Sequence, residues 1–178
     1  WWQALETMIG EQDSIVFSEE GAAEGIPCRT LEEKTACFRE LVDYLTLEIG
    51  EKEQRAIIRA LAGRYGLDLS ALADEEMMSW DEVRQLASDP LVTIGAHTHD
   101  HYALARLDAD AAWADIDNGL RRLEAELGQR PKHFAYPYGK PNAVNAESAD
   151  IAGAAGFASA VTTFPGVLQS ANARNPMM

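Results

Sequence analysis

The sequence predicts an α/β fold, on three observations. Capped amphipathic segments alternate with short apolar runs in its second half. Each run is too brief for a helix. Gly or Pro closes most of these segments. Alternation of this kind implies parallel strands joined by helical crossovers, and in such folds chemistry gathers at the carboxyl ends of the strands.

The elements follow in order. Residues 1–9 read as a short helix, Ser14–Phe17 as a short strand and 19–27 as a Gly- and Ala-rich loop. Thr30 with Glu33 forms a capping box. Phe38, Leu41, Val42, Leu45 and Ile49 then recur at helical spacing until Gly50. A helix over 51–64 carries Ile57, Ile58 and Leu61 on its apolar side. Ser79 with Glu82 opens another, which Asp89-Pro90 stops because a residue before proline disfavours helix. Leu91–Ala96 reads as a buried strand. Asp108 caps a helix with the stripe Trp113, Ile116, Leu120, Leu123 and Leu127, a core-packing face closed by Gly128. His133–Tyr136 reads as a strand, 146–155 as a helix and Phe157–Thr163 as a strand.

Composition bounds the partners. Apolar residues at 47% and charged residues at 25% match a folded globular chain. The formal charge of -14, from 29 acidic and 15 basic residues, argues against nucleic acid and anionic lipid, which are bound mainly through Lys and Arg. The densest basic stretch, Arg121, Arg122, Arg130 and Lys132, is interleaved with Glu124 and Glu126 and reads as a solvated helix face. Cys28 and Cys37 show no Cys-x-x-Cys spacing, so neither a disulfide framework nor a thiolate metal site is indicated. No stretch is long and apolar enough for membrane insertion, and the amino end has no signal pattern, which leaves cytoplasm and cell envelope both open.

Three of the four histidines fall in His97-Thr98-His99-Asp100-His101, directly after the predicted strand that ends at Gly95-Ala96. A lone histidine is more often structural than functional. A cluster at a strand end points instead to a metal, because imidazole is the commonest metal ligand and His97 and His101 can turn toward one point. His99 faces elsewhere by alternation, and His133 reads as structural or surface. The second constellation is Arg130-Pro131-Lys132-His133-Phe134-Ala135-Tyr136-Pro137-Tyr138-Gly139, a strand entering a turn marked by Pro and Gly. Alone it is an aromatic-rich turn. One crossover helix after the histidine strand, it becomes a candidate oxyanion donor through the Tyr138 backbone N–H. An unrelated metallohydrolase using Asp100 or Asp115 as third ligand is a further reading.

His-Thr-x-x-His after Val-Thr-Ile-Gly-Ala, followed by Arg-Pro-x-x-Phe-Ala-Tyr-Pro-Tyr-Gly, resembles the polysaccharide deacetylases, the NodB-homology carbohydrate esterases, from about Met77 to Val167. The resemblance implies a partial deformed (β/α) barrel with an α-helical insert near the amino end. It places His97 and His101 on a divalent metal, commonly zinc. It gives Tyr138 the catalytic role of oxyanion donor, puts Tyr136, Pro137 and Tyr138 against the substrate, and makes Thr98 a buttress of the loop. The implied partner is an acetylated polysaccharide or oligosaccharide. The implied reaction is hydrolysis of its N-acetyl or O-acetyl groups, an amide bond in the N-acetyl case.

Three departures qualify this. The family's Asp-Asp pair, which supplies base and third ligand, and its Leu-x-His motif, which supplies the acid, occur nowhere in the sequence, and Ala135 stands where many members carry arginine. An α/β barrel usually needs about 250 residues. The expectation is therefore a fragment, 1–178, of one catalytic domain, with 19–78 a mainly helical insert and 79–178 the motif-bearing core, inactive alone. The alternative is a non-catalytic carbohydrate-binding or regulatory remnant. Exposed strand edges would favour pairing with another copy, a homo-oligomer.

Overall fold

A computed structural model describes residues 1–17 and 25–166. The chain divides into two compact units, Trp1–Met77 and Met78–Met178.

The first unit is mainly helical. It contains α1 (Trp2–Glu11), β1 (Ser14–Ile15), β2 (Ile26–Pro27), α2 (Leu31–Asp43), a π-helical turn (Tyr44–Glu48), α3 (Glu51–Tyr65) and α4 (Leu69–Glu76). β1 and β2 pair antiparallel. Thr30 and Glu33 make the expected capping box at α2, each side chain bonding a backbone N–H of the other's turn. The wider π turn leaves carbonyls that the α-helical ladder would have used. Buried Gln54 answers one of them, donating from Nε2 to the Leu45 carbonyl at 3.0 Å. The Lys34 ammonium closes the carboxyl end of α1, donating to the Ile9 carbonyl at 2.8 Å and the Gly10 carbonyl at 2.5 Å, where the helix dipole favours a cation. Leu5, Met8, Leu41, Leu45, Ile58 and Leu61 form the core. Cys28 and Cys37 lie buried in it as free thiols. α4 is capped by Asp68, whose Oδ1 accepts from the Ser70 and Ala71 amides; it has no buried residue, which is why apolar periodicity did not reveal it.

The second unit carries the alternation. Its elements are α5 (Trp80–Ala87), a 3-10 turn (Leu104–Arg106), α6 (Ala109–Leu127), β3 (His133–Ala135), α7 (Ala146–Ala154) and β4 (Ser159–Val161). β3 and β4 run parallel, with Phe134 opposite Ala160 and Ala135 opposite Val161, and α7 connects them. Ala96 joins on the other side of β3 through a parallel bridge to Phe134, its N–H donating to the His133 carbonyl at 2.8 Å.

Two expectations are corrected here. Leu91–Ala96 is not a strand over its length. The Asp89-Pro90 turn runs on through it: Asp89 Oδ1 accepts from the Leu91 amide at 2.8 Å and the Asp89 carbonyl from Val92 at 3.0 Å, which takes the first residues away from any ladder. Leu91 is accordingly exposed rather than buried. The buried face of α6 is centred on Ala112, Asp115, Ile116, Gly119 and Leu120, so Trp113 lies at its margin, 42% exposed. As for the barrel, the described residues form two two-stranded sheets and no closed barrel. What they show is a mixed α/β arrangement.

The core of this unit packs α6 and α7 onto the sheet through Ile116, Leu120, Ala152, Phe134, Phe157 and Ala160. Phe134 stacks on Phe157 at 4.9 Å and meets Tyr136 edge-on at 5.0 Å. Arg84 bridges α5 to α6 through Glu126 at 2.5 Å.

Candidate active site

The three parallel segments end level with one another, at Ala96, Ala135 and Val161. The first motif begins there, and the second passes through β3 and turns there at Tyr136-Pro137-Tyr138-Gly139. His97 follows the first end, and its ring Nδ1 lies 2.7 Å from the Ala135 carbonyl at the second. A carbonyl can only accept, so Nδ1 carries the proton and Nε2 presents its lone pair, the tautomer that a metal-binding imidazole needs.

The loop after His97 turns back through two residues of left-handed conformation, Thr98 (φ 61°) and His101 (φ 58°). Neither is glycine, and each costs energy that surrounding bonds must offset. Thr98 supplies one such bond: its Oγ1 accepts from the His101 amide at 3.1 Å, the buttress expected of it. The outcome is that His101 folds over His97, with ring centroids 4.7 Å apart at 66°. Imidazole nitrogens are of the donor type that suits a divalent ion of borderline softness.

Tyr138 closes the group. It too has a positive φ of 61°, and its ring meets that of His101 edge-on at 4.8 Å. The turn holding it is tight. Gly139 donates to the Pro137 carbonyl at 2.7 Å, and Thr163, just past β4, donates its amide to the Gly139 carbonyl at 3.1 Å and its hydroxyl to the Tyr138 carbonyl at 3.0 Å. Tyr136 and Pro137 are buried. Burial pushes the Tyr136 phenol up to about 12, so it stays neutral at any ordinary pH.

The acids that sequence reasoning weighed as third ligands go elsewhere. Among the described residues the group with metal-ligand spacing is His99, Asp100 and Asp115, not His97 and His101 with an acid. His99 Nδ1 lies 3.0 Å from Asp100 Oδ1, and Asp115 Oδ1 accepts from the Asp100 amide at 2.8 Å. His133 is exposed, with Nδ1 2.8 Å from Ser159 Oγ, a link between β3 and β4. Beside the histidine loop lies an open cleft of about 330 Å³ lined by Trp80, Gly95, His97, Thr98, Arg122 and Leu123, with the Arg122 guanidinium 4.8 Å above the Trp80 ring. Sequence reasoning found the histidines and Tyr138 but gave Gly119 no part and treated Asp115 only as a ligand candidate. The signal for both was their spacing on α6, one turn apart on its buried face.

No helix among the described residues is long and apolar enough to cross a membrane. No curated protein and no solved structure is found to match the chain. The model of the polysaccharide deacetylase family does match, over residues 50–160, a stretch that contains both motifs and the strands that carry them. The chain belongs to the polysaccharide deacetylase family, a family of carbohydrate-acting hydrolases.

Proposed function

We propose that this chain carries part of the active site for metal-dependent hydrolytic deacetylation of N-acetylated or O-acetylated sugars in a polysaccharide or oligosaccharide. The observation that supports it best is the His97–His101 pair, with His97 held in the Nδ1–H tautomer by the Ala135 carbonyl and Tyr138 beside it. His97 and His101 would hold the ion, with zinc the best match to an imidazole pair. When bound, such an ion supplies Lewis acidity toward an acyl carbonyl and toward water.

The chain's own residues do the rest. The Ala135 carbonyl fixes the proton of His97 on Nδ1. The left-handed backbone at Tyr138 turns that residue toward the histidines, where its N–H serves the developing oxyanion. Tyr136 and Pro137, being buried, shape the substrate wall through their backbone. No Asp-Asp pair and no Leu-x-His motif stands among these 178 residues, so the implied base and acid have no counterpart here. On this reading the chain alone binds metal weakly and does not turn over substrate. A second reading is a carbohydrate-binding remnant that needs no metal.

Zinc titration by calorimetry separates the two. The deacetylase reading expects one weak site that disappears in the His97→Ala/His101→Ala double variant while the far-ultraviolet spectrum is unchanged. Zinc binding of equal strength in that variant rules out the assigned pair. Affinity for a chitooligosaccharide with no zinc binding at all supports the remnant.

A further inference from the structure

One turn of α6 forms a seat for the histidine loop. Asp115, 5% exposed, sits beneath that loop and accepts the Asp100 amide at 2.8 Å through Oδ1. Four residues on, Gly119 lets the loop backbone lie directly against the helix. A methyl group there would stand 2.6 Å from both the carbonyl carbon and the carbonyl oxygen of Thr98, and 3.0 Å from the His99 amide nitrogen, closer than atoms approach. Residues i and i+4 share a helix face, so the two act on adjacent peptides of one loop. That loop is also where Thr98 and His101 hold their left-handed conformations.

We propose that Asp115 and Gly119 are positioning residues for the metal pair, fixing the loop conformation that folds His101 over His97. The inference rests on the proposed metal role of those histidines. Without the Asp115 acceptor and the close approach at Gly119, the loop would lose a hydrogen bond and a direct backbone contact with α6. The left-handed residues would then relax toward ordinary backbone, and the rings would part. A side-chain oxygen is suited to this seat because it accepts what the Asp100 N–H must donate. Asp115 thus acts through the loop rather than on the ion.

Zinc and cobalt titrations of the full chain test this, with affinity and the visible cobalt spectrum read together. Asp115→Ala is expected to weaken binding about 10- to 100-fold and to alter the cobalt spectrum, the usual size of an outer-shell loss. Asp115→Asn, which keeps an oxygen acceptor, should recover most of the affinity. Gly119→Ala should weaken binding in the same direction, and His99→Ala should leave it unchanged. Unaltered affinity in Asp115→Ala, with binding still lost in the His97→Ala/His101→Ala variant, overturns the positioning role and spares the metal assignment. Binding retained in the double histidine variant removes the metal assignment instead. If His99→Ala loses as much as Asp115→Ala, Asp115 is a direct ligand in the His99–Asp100–Asp115 group, and the positioning role is overturned.

Discussion

Replacing Gly139 by alanine tests how the Tyr138 turn is held. The position has φ of 62°, and an added Cβ would lie 2.5 Å from the Thr163 amide nitrogen and 2.8 Å from its Cγ2. Left-handed backbone costs an L residue about 1–2 kcal/mol. Moving Thr163 away also gives up its bond to the Gly139 carbonyl, a net loss of about 0.5–1.5 kcal/mol. Together the substitution should destabilise by about 1.5–3.5 kcal/mol, a large share of the 5–15 kcal/mol typical of a domain. Because the chain has two compact units, a bulk denaturation curve mixes them. Hydrogen exchange at the Thr163 and Phe134 amides reads the second unit directly. The expected result is protection lost at Thr163 by more than at Phe134, with exposed Lys140→Ala as a control that changes neither. A loss under about 0.5 kcal/mol with Thr163 still protected would show that the turn gives way at little cost, and that close approach does not hold it.

Other outcomes follow from the packing. Leu120→Ala, at a fully buried position of α6, should cost about 2–5 kcal/mol in exchange-derived stability of the second unit, since a cavity remains where the side chain was. Thr30→Ala removes one half of the α2 capping box and should lower the first unit's stability by about 1 kcal/mol, measured by exchange at α2 amides. Burial and the neighbouring Cys28 thiol push the Cys37 thiol up to about 12. Because the fold disfavours its thiolate, this group's stabilising contribution is complete below the unfolded pKa near 8.5 and is lost as pH climbs from there toward 12. Iodoacetamide labelling of Cys37 should therefore be slow at pH 9 in folded protein and fast in urea, and equal rates would place the thiol at the surface.

The sequence was most readable where local chemistry decides structure. The boxes at Thr30–Glu33 and Ser79–Glu82 and the Asp108 cap lie at the helix starts read from them, since a cap needs only its own turn. The alternation likewise gave β3, α7 and β4 in order and parallel pairing for the two strands. Strand extent was less readable, because a ladder depends on what lies alongside. Leu91–Ile94 has the residues of a strand, yet Asp89 draws its amides into a turn. α4 could not be found from apolar periodicity, because it buries nothing. At the site, His97, His101 and Tyr138 stood out by type and spacing, and the structure brings them together. The part of Asp115 and Gly119 was hidden for a different reason: it consists of what a helix face does to a loop, and neither residue has a chemistry that points to it.

The backbone itself argues that this end of the second unit is shaped for more than packing. The non-glycine residues with positive φ among the described ones are Thr98, His101 and Tyr138, all in turns at the ends of neighbouring parallel segments. A turn whose only task is to reverse the chain can use glycine or asparagine at such positions with little strain. Here threonine, histidine and tyrosine take the conformation instead, two of them presenting rings within 4.8 Å of each other. Each is tied down by a specific bond: His101 to Thr98, Tyr138 to Thr163. Strain held by dedicated bonds at the carboxyl ends of parallel strands is the pattern of a binding or catalytic site. Glycine at position 98 or 138 should therefore relax the backbone without unfolding the chain, and the loss would appear in metal affinity or ligand binding rather than in stability.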